Sequence, residues 1–266
     1  MAAINGTTGL VTSWAGTANT ALISTGSAPS EFSWTLNAPE VDTTPFVSGG
    51  ATVMRFIPNI YDGTVSIKTR INPASIGNKG NVTFSGGYAT NIKEWSVTLA
   101  TDPQESTAFS GSTVLARTYI PSLLNWSGSY TGYVDGTTPL EPVGEVAAAL
   151  VLKAIEDGAT DVQLSGNAFS TQLASTVRVG QIAEASYSFR GDGDITSAVG
   201  AGSFTAWFFA AGVVAPPVVG SLVLQAATGR TYTMDAFWES VTVACAVDGL
   251  VTADITARIS GVVSIA

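Results

Sequence analysis

From Phe32 to Leu36 apolar and hydroxyl side chains alternate one by one, Phe-Ser-Trp-Thr-Leu, and the rhythm returns in Thr64–Ile67 and in Trp95–Leu99. A period of two sends successive side chains to opposite faces of a pleated strand, so residues 31–71 and the stretch from Trp95 read as half-buried β-strands. The first strand runs into a long polar connection, Asn37 to Ala51, punctuated by Pro39, Pro45 and Gly49-Gly50. The second runs into a similar one through Asp102-Pro103, ahead of a strand from Val114 to Ile120. Gly144 to Glu156 contains acceptable helix formers, but its Leu-Val-Leu centre reads as strand, leaving a turn of helix open before Leu150. The expected class is mainly β with little helix.

The layout is written twice, sixty-three residues apart. Leu36 falls on Leu99, Phe46 on Phe109, Phe56 on Tyr119 and Ile57-Pro58 on Ile120-Pro121. The spacing then reads as slipping by two, with Trp126-Ser127 inserted and Gly63-Thr64 falling on Gly128-Ser129. A second, gapped echo links Leu150–Ala154 to Leu222–Ala226, Ala168-Phe169 to Ala236-Phe237, and Phe189-Arg190-Gly191 to Ile259-Ser260-Gly261. Duplicated sequence predicts duplicated structure. The half-units run first, first, second, second, which nesting explains most simply. An inner β domain, residues 91–197, then sits inside an outer β domain made of 31–71 and 218–266, each a β-sandwich or barrel. Residues 72–90 and 198–217 are the expected linkers, and 1–30 an N-terminal arm. Tandem order with a cut near residue 90 is the alternative.

Composition agrees with strands and turns. The chain of 266 residues is 45% hydrophobic but only 12% charged, about half the usual charged share. Runs of strong helix formers are missing, while Val, Thr and Gly suit pleated surfaces and tight turns. Residues 1–30 lack the charged and apolar regions of a secretory signal. No charged residue lies between Ile195 and Gly229, and Trp207 to Ala227 is long enough to test as a membrane span. Pro216-Pro217 in its middle would leave backbone groups unpaired in lipid, so no membrane partner is expected.

The formal charge of −9 disfavours a direct grip on nucleic-acid phosphates, though a polyanion could pass a repelling wall. The absence of histidine removes the commonest general base and metal ligand, and with it any Ser-His-Asp or Cys-His device. The single cysteine, Cys245, lies in an apolar run and reads as a core thiol. Glu141/Glu145 and Glu156/Asp157 are neighbouring carboxylates that read as solvated turn charges. Arg190-Gly-Asp192-Gly-Asp194 invites an adhesion or a calcium reading, but no closing acidic ligand follows, and a glycine-rich hairpin end accounts for it. Trp95, Trp126, Tyr130, Tyr133, Trp207–Phe209 and Phe237-Trp238 read as core or subunit interface; in a row on an exposed face they would suit a sugar. No enzyme and no cofactor is expected.

The stretch from Phe109-Ser-Gly to Arg117-Thr-Tyr-Ile-Pro121-Ser-Leu-Leu-Asn-Trp126-Ser-Gly-Ser resembles the major tail tube proteins of long-tailed, siphovirus-like bacteriophages. The resemblance covers both copies and implies a structural virion protein. Inner sheets would join around a ring, and rings would stack into a hollow tube that conveys DNA. The family has no catalytic residues to carry over. Such rings typically present six units, so a chain with two copies, unlike the commoner one-domain pattern, would close as a trimer with pseudo-sixfold symmetry. The implied partners are the chain itself and other virion tail proteins, with DNA only as passing cargo, in a virion assembled from protein made in the host cytoplasm. The two long loops, Asn37 to Ala51 and Thr101 to Thr113, are the expected ring-to-ring contacts. Their candidate assembly residues are Asp42, Thr43, Thr44 and Phe46 in one copy and Glu105, Ser106, Thr107 and Phe109 in the other. The N-terminal arm is expected to dock on a neighbour. A capsid decoration or other accessory virion protein and a carbohydrate-binding or cell-surface β module are the alternatives.

Overall fold

The strand patterns close into one large antiparallel sheet. The computed structural model describes residues 10–15, 28–38, 40–42, 56–58, 62–71, 81–84, 92–107, 116–134, 142–155, 162–199, 207–227, 230–246 and 251–266. Among these residues there are only strands and connections, with no helix. The first ten are β1 (Leu10–Trp14), β2 (Ala28–Asn37), β3 (Glu40–Asp42), β4 (Phe56–Pro58), β5 (Asp62–Ile71), β6 (Asn81–Phe84), β7 (Ile92–Thr101), β8 (Gln104–Glu105), β9 (Tyr119–Ile120) and β10 (Leu124–Tyr133). The rest are β11 (Ala148–Ile155), β12 (Val162–Thr176), β13 (Glu184–Val199), β14 (Gly212–Val213), β15 (Gly220–Ala227), β16 (Arg230–Ala246) and β17 (Val251–Ile265).

The sheet path is β2-β5-β17-β16-β7-β10-β13-β12-β11-β6, with β15 on β16 and β1 on β15. Two strand sets in it carry one pairing order: β2-β5-β17-β16-β15-β1, and β7-β10-β13-β12-β11-β6. In each set the end strands approach one another, β1 near β2 and β6 near β7. The small hairpins β3–β4 and β8–β9 occupy the same place in the two sets, between the first and second strands of each order. The sets share an edge where the C-terminal half of β16 pairs with β7.

Register fixes the correspondence residue by residue. Asp42 faces Phe56 and Glu105 faces Tyr119, so both partners differ by 63. Trp34 faces Val65 and Val97 faces Gly128, again a difference of 63 on both strands. Pairing skips Ser30 in β2 and Lys93 in β7, equivalent positions by the same spacing. The expected two-residue slip is therefore overturned: Gly63 falls on Trp126, not on Gly128. Bulges between Ser170 and Gln172 and between Trp238 and Ser240 set a difference of 68 for β12 and β16. Ala168 faces Gly191 and Ala236 faces Ile259, carrying the same 68 into β13 and β17. Phe189 thus matches Ala257, and Gly191 matches Ile259, two positions away from the sequence reading. The glycines that were aligned at 191 and 261 are instead Gly193 and Gly261, both at positive φ (82° and 116°).

Alternation becomes burial as expected of strands lying on a core. Trp95, Val97 and Leu99 are buried, with the intervening residues half-buried. The aromatics read as a possible row are core: Trp95, Trp126, Tyr130, Trp207, Phe208, Phe209, Phe237 and Trp238 are buried, and only Tyr133 is exposed. Cys245 is buried as expected.

Three segments differ from their expected roles. The N-terminal arm contains β1, whose Trp14 is buried and donates its indole N–H to the Ala236 carbonyl at 3.1 Å. The linker 72–90 contains β6, paired to β11. The linker 198–217 contains the buried Trp207–Phe209 and β14, which pairs with β13. Apolar side chains in these stretches have core to fill, so they fold onto the units they were expected to separate. Before Leu150, Val143-Gly144 is a turn and β11 begins at Ala148. No helix among the described residues is long and apolar enough to cross a membrane.

Candidate assembly interface

The second long connection is tied down at both ends. Arg117 approaches Glu105 at 3.4 Å, the Ser106 N–H bonds the Thr118 carbonyl at 2.9 Å, and the Thr118 N–H bonds the Thr107 hydroxyl at 3.1 Å. Three of the candidate residues, Glu105, Ser106 and Thr107, therefore spend polar groups inside their own hairpin. Asp42 belongs to β3 and faces Phe56. Thr43, Thr44, Phe46 and Phe109 lie outside the described residues.

This hairpin is clipped to β17, a strand of the other set. Ser260 Oγ accepts from the Tyr119 N–H at 2.8 Å and donates to the Tyr119 carbonyl at 3.0 Å, while the Gly261 N–H bonds the Arg117 carbonyl at 2.9 Å. Beneath it, the Arg258 guanidinium lies 5.1 Å from the Tyr119 ring centroid and bonds Asp62 at 3.0 Å and Glu239 at 3.2 Å. Partial burial lowers the Arg258 pKa, but the hydrogen bonds and charges of Glu239 and Asp62 outweigh it, so the net shift is upward. Arg117 is also raised, first by its hydrogen bond with Tyr119 and then by the charge of Glu105. None of Asp62, Glu239, Arg258 and Ser260 was anticipated as an interface residue. The signal available was the glycine at 261, matched at 193 once the spacing of 68 is used.

A groove of about 330 Å³ crosses the seam between the sets, over Glu94, Ser96, Ser129, Thr131, Ala244 and Thr252. Its lining offers hydroxyls, the Glu94 carboxylate, the rings of Trp95 and Tyr130, and the buried Cys245 thiol, which is turned to the Ala154 carbonyl at 3.9 Å. Among the described residues no group of three or more His, Cys, Asp or Glu is placed to hold a metal. Arg190-Gly-Asp192-Gly-Asp194 is not a hairpin end. It lies inside β13, where the pairing jumps from Gly166–Ile195 to Asn167–Asp192 and Gly193 takes a positive φ. Such a bulge re-aims side chains at a sheet edge.

Among the described residues two stretches of strand edge are also unpaired. β2 ends the sheet path and pairs only with β5 among the described residues. On β12, β11 reaches only to Ala168, after which the Gly144 N–H takes the Ser170 carbonyl at 2.9 Å. No family model and no curated protein matches this chain.

Proposed function

We propose that this chain is a structural subunit that associates with its own copies into rings, stacked as the hollow tail tube of a long-tailed bacteriophage. The observation that carries the reading is the shared sheet: two sets of strands with one pairing order are joined edge to edge by β16 and β7, with further edge left uncovered among the described residues at β2 and β12. Nesting of one unit within the other accounts for that order, since one set is continuous in sequence and the other flanks it. A subunit whose strand edges are completed by neighbours has no need of the charges that blunt the edges of solitary sheets. The 12% charged content suits that situation. A net charge of −9 suits a channel past which DNA slides without adhering. Three chains would present six units around a ring. Electron micrographs of the purified protein test this reading: hollow filaments are expected, with a native mass of three chains for the solubilised ring. Discrete trimers that never stack would favour the decoration protein instead.

A further inference from the structure

Inside the chain the seam has a definite register. Thr242 faces Thr98, Cys245 faces Trp95 and Ala246 faces Glu94, and the Thr98 and Thr242 hydroxyls meet at 2.9 Å. Subtracting 68 from the β16 side and 63 from the β7 side moves this seam to the two edges that no described residue covers. Ala174 then stands opposite Thr35, Val177 opposite Phe32, and Arg178 opposite Glu31. The last pair places opposite charges face to face where the internal seam has Ala246 and Glu94, and cross-strand pairs of that kind are favourable.

Burial points the same way. Trp95, Val97 and Leu99 are buried beneath the internal seam, whereas their equivalents Phe32, Trp34 and Leu36 are only partly buried. Val177 is 76% exposed, while its equivalent Cys245 is 2% exposed. The proximity of β1 to β2 does not fill the edge, because β6 lies equally near β7 and β7 still pairs with β16. The clip transfers too. Arg258, Ser260 and Gly261, which receive the β8–β9 hairpin, correspond to Arg190, Asp192 and Gly193, and Arg190 and Asp192 are exposed. The equivalent of Tyr119 is Phe56 in β4.

We infer that β2 of one chain pairs antiparallel with the Gln172–Thr176 edge of β12 in a second copy, continued by Val177 and Arg178 just beyond the strand, in the register of the internal seam, with the β3–β4 hairpin of the first seated on Arg190–Gly193 of the second. The inference deepens the ring reading and rests on it for closure. The contact is heterologous, so it propagates, and a closing rotation makes a ring. It also gives the Arg-Gly-Asp-Gly-Asp bulge a purpose: Asp192 would accept a backbone N–H of the incoming hairpin, as Ser260 does within the chain.

Cysteine pairing tests the register. Thr35→Cys and Ala174→Cys, both at exposed positions, are made in separate chains, with the buried Cys245 left in place. On mixing and mild oxidation, the two should give a disulfide-linked heterodimer, about tenfold more than Ser33→Cys with Ala174→Cys, because a two-residue offset moves Cβ atoms out of disulfide range. Equal yields for both registers would overturn the inference, as would no cross-link in a sample that assembles. In a second experiment, Glu31→Lys and Arg178→Glu should each reduce assembly and their combination in one chain restore it; no rescue counts against the pairing. Tubes without the cross-link refute this edge while leaving the ring reading intact. Cross-linked chains that form only open ladders refute the ring and leave the edge.

Discussion

Trp126 lies across Gly191 so closely that a Cβ there would come within 2.0 Å of the indole, and a Cβ on Gly166 would meet the same ring at 2.7 Å. At the equivalent positions stand Gly63, Ile259 and Met234. One unit puts its bulk on β10 and leaves β13 and β12 bare, whereas the other leaves β5 bare and fills from β17 and β16. Volume-conserving exchange of this kind preserves packing while each single exchange does not. Gly191→Ala should therefore cost about 1–3 kcal/mol in denaturant unfolding. Gly191→Ile combined with Trp126→Gly should recover about 2 kcal/mol of the loss from Gly191→Ile alone; strictly additive effects would show that the two sites do not share one volume. Arg258 offers a different test. Arg258→Met leaves Asp62 and Glu239 without their shared cation and should cost about 1–3 kcal/mol, with Arg258→Lys recovering little because an ammonium cannot fork between them. The upward shift of the Arg258 pKa means its stabilisation is complete below the ordinary arginine value and lost only as pH rises through the raised one. A pH titration across the neutral range should show no change from this group.

Strand-level behaviour is governed by bulges as much as by alternation. The skipped residues in β2 and β7, and the bulges in β12 and β16, fall at matching positions and keep the long strands in matching register. A one-residue slip would turn every buried side chain outward, so these features hold the correspondence that the sequence shows only in part. β1 illustrates how a short strand can carry core weight. Its Trp14 is 1% exposed and hydrogen-bonded to β16 across the unit. Trp14→Ala should lower unfolding stability by about 3–5 kcal/mol and speed amide exchange in β15, whose edge β1 covers. Unchanged exchange in β15 would mean that β1 only rests on the sheet.

For the whole molecule, a sheet that continues from one unit into the next is the property that matters. A seam of seven residue pairs holds β16 to β7, and the contact proposed between copies would reuse that geometry. Asp192→Ala should weaken self-association without lowering monomer stability, because Asp192 is exposed and would find its partner only in the assembled state. Analytical ultracentrifugation over a concentration series, set against denaturant unfolding of the monomer, separates the two. An equal loss in both would place Asp192 in the fold and not at an interface.

Period-two alternation and turn residues were enough to determine a mainly β chain and a unit written twice, because one buried face per strand imposes that rhythm directly on the sequence, whereas the aromatics, read as core or subunit interface, were placed in the core only by the structure. The candidate residues Glu105, Ser106 and Thr107 were legible as a loop signature, yet their hydrogen bonds to Thr118 and ion pair with Arg117 depend on a hairpin that closes across a long connection. Register through Trp126, the roles of β1 and β6, and the clip of Ser260 on Tyr119 were decided only by tertiary structure. These contacts join residues far apart in sequence, and their complementarity, a tryptophan here against a glycine there, is split between strands that no local pattern connects.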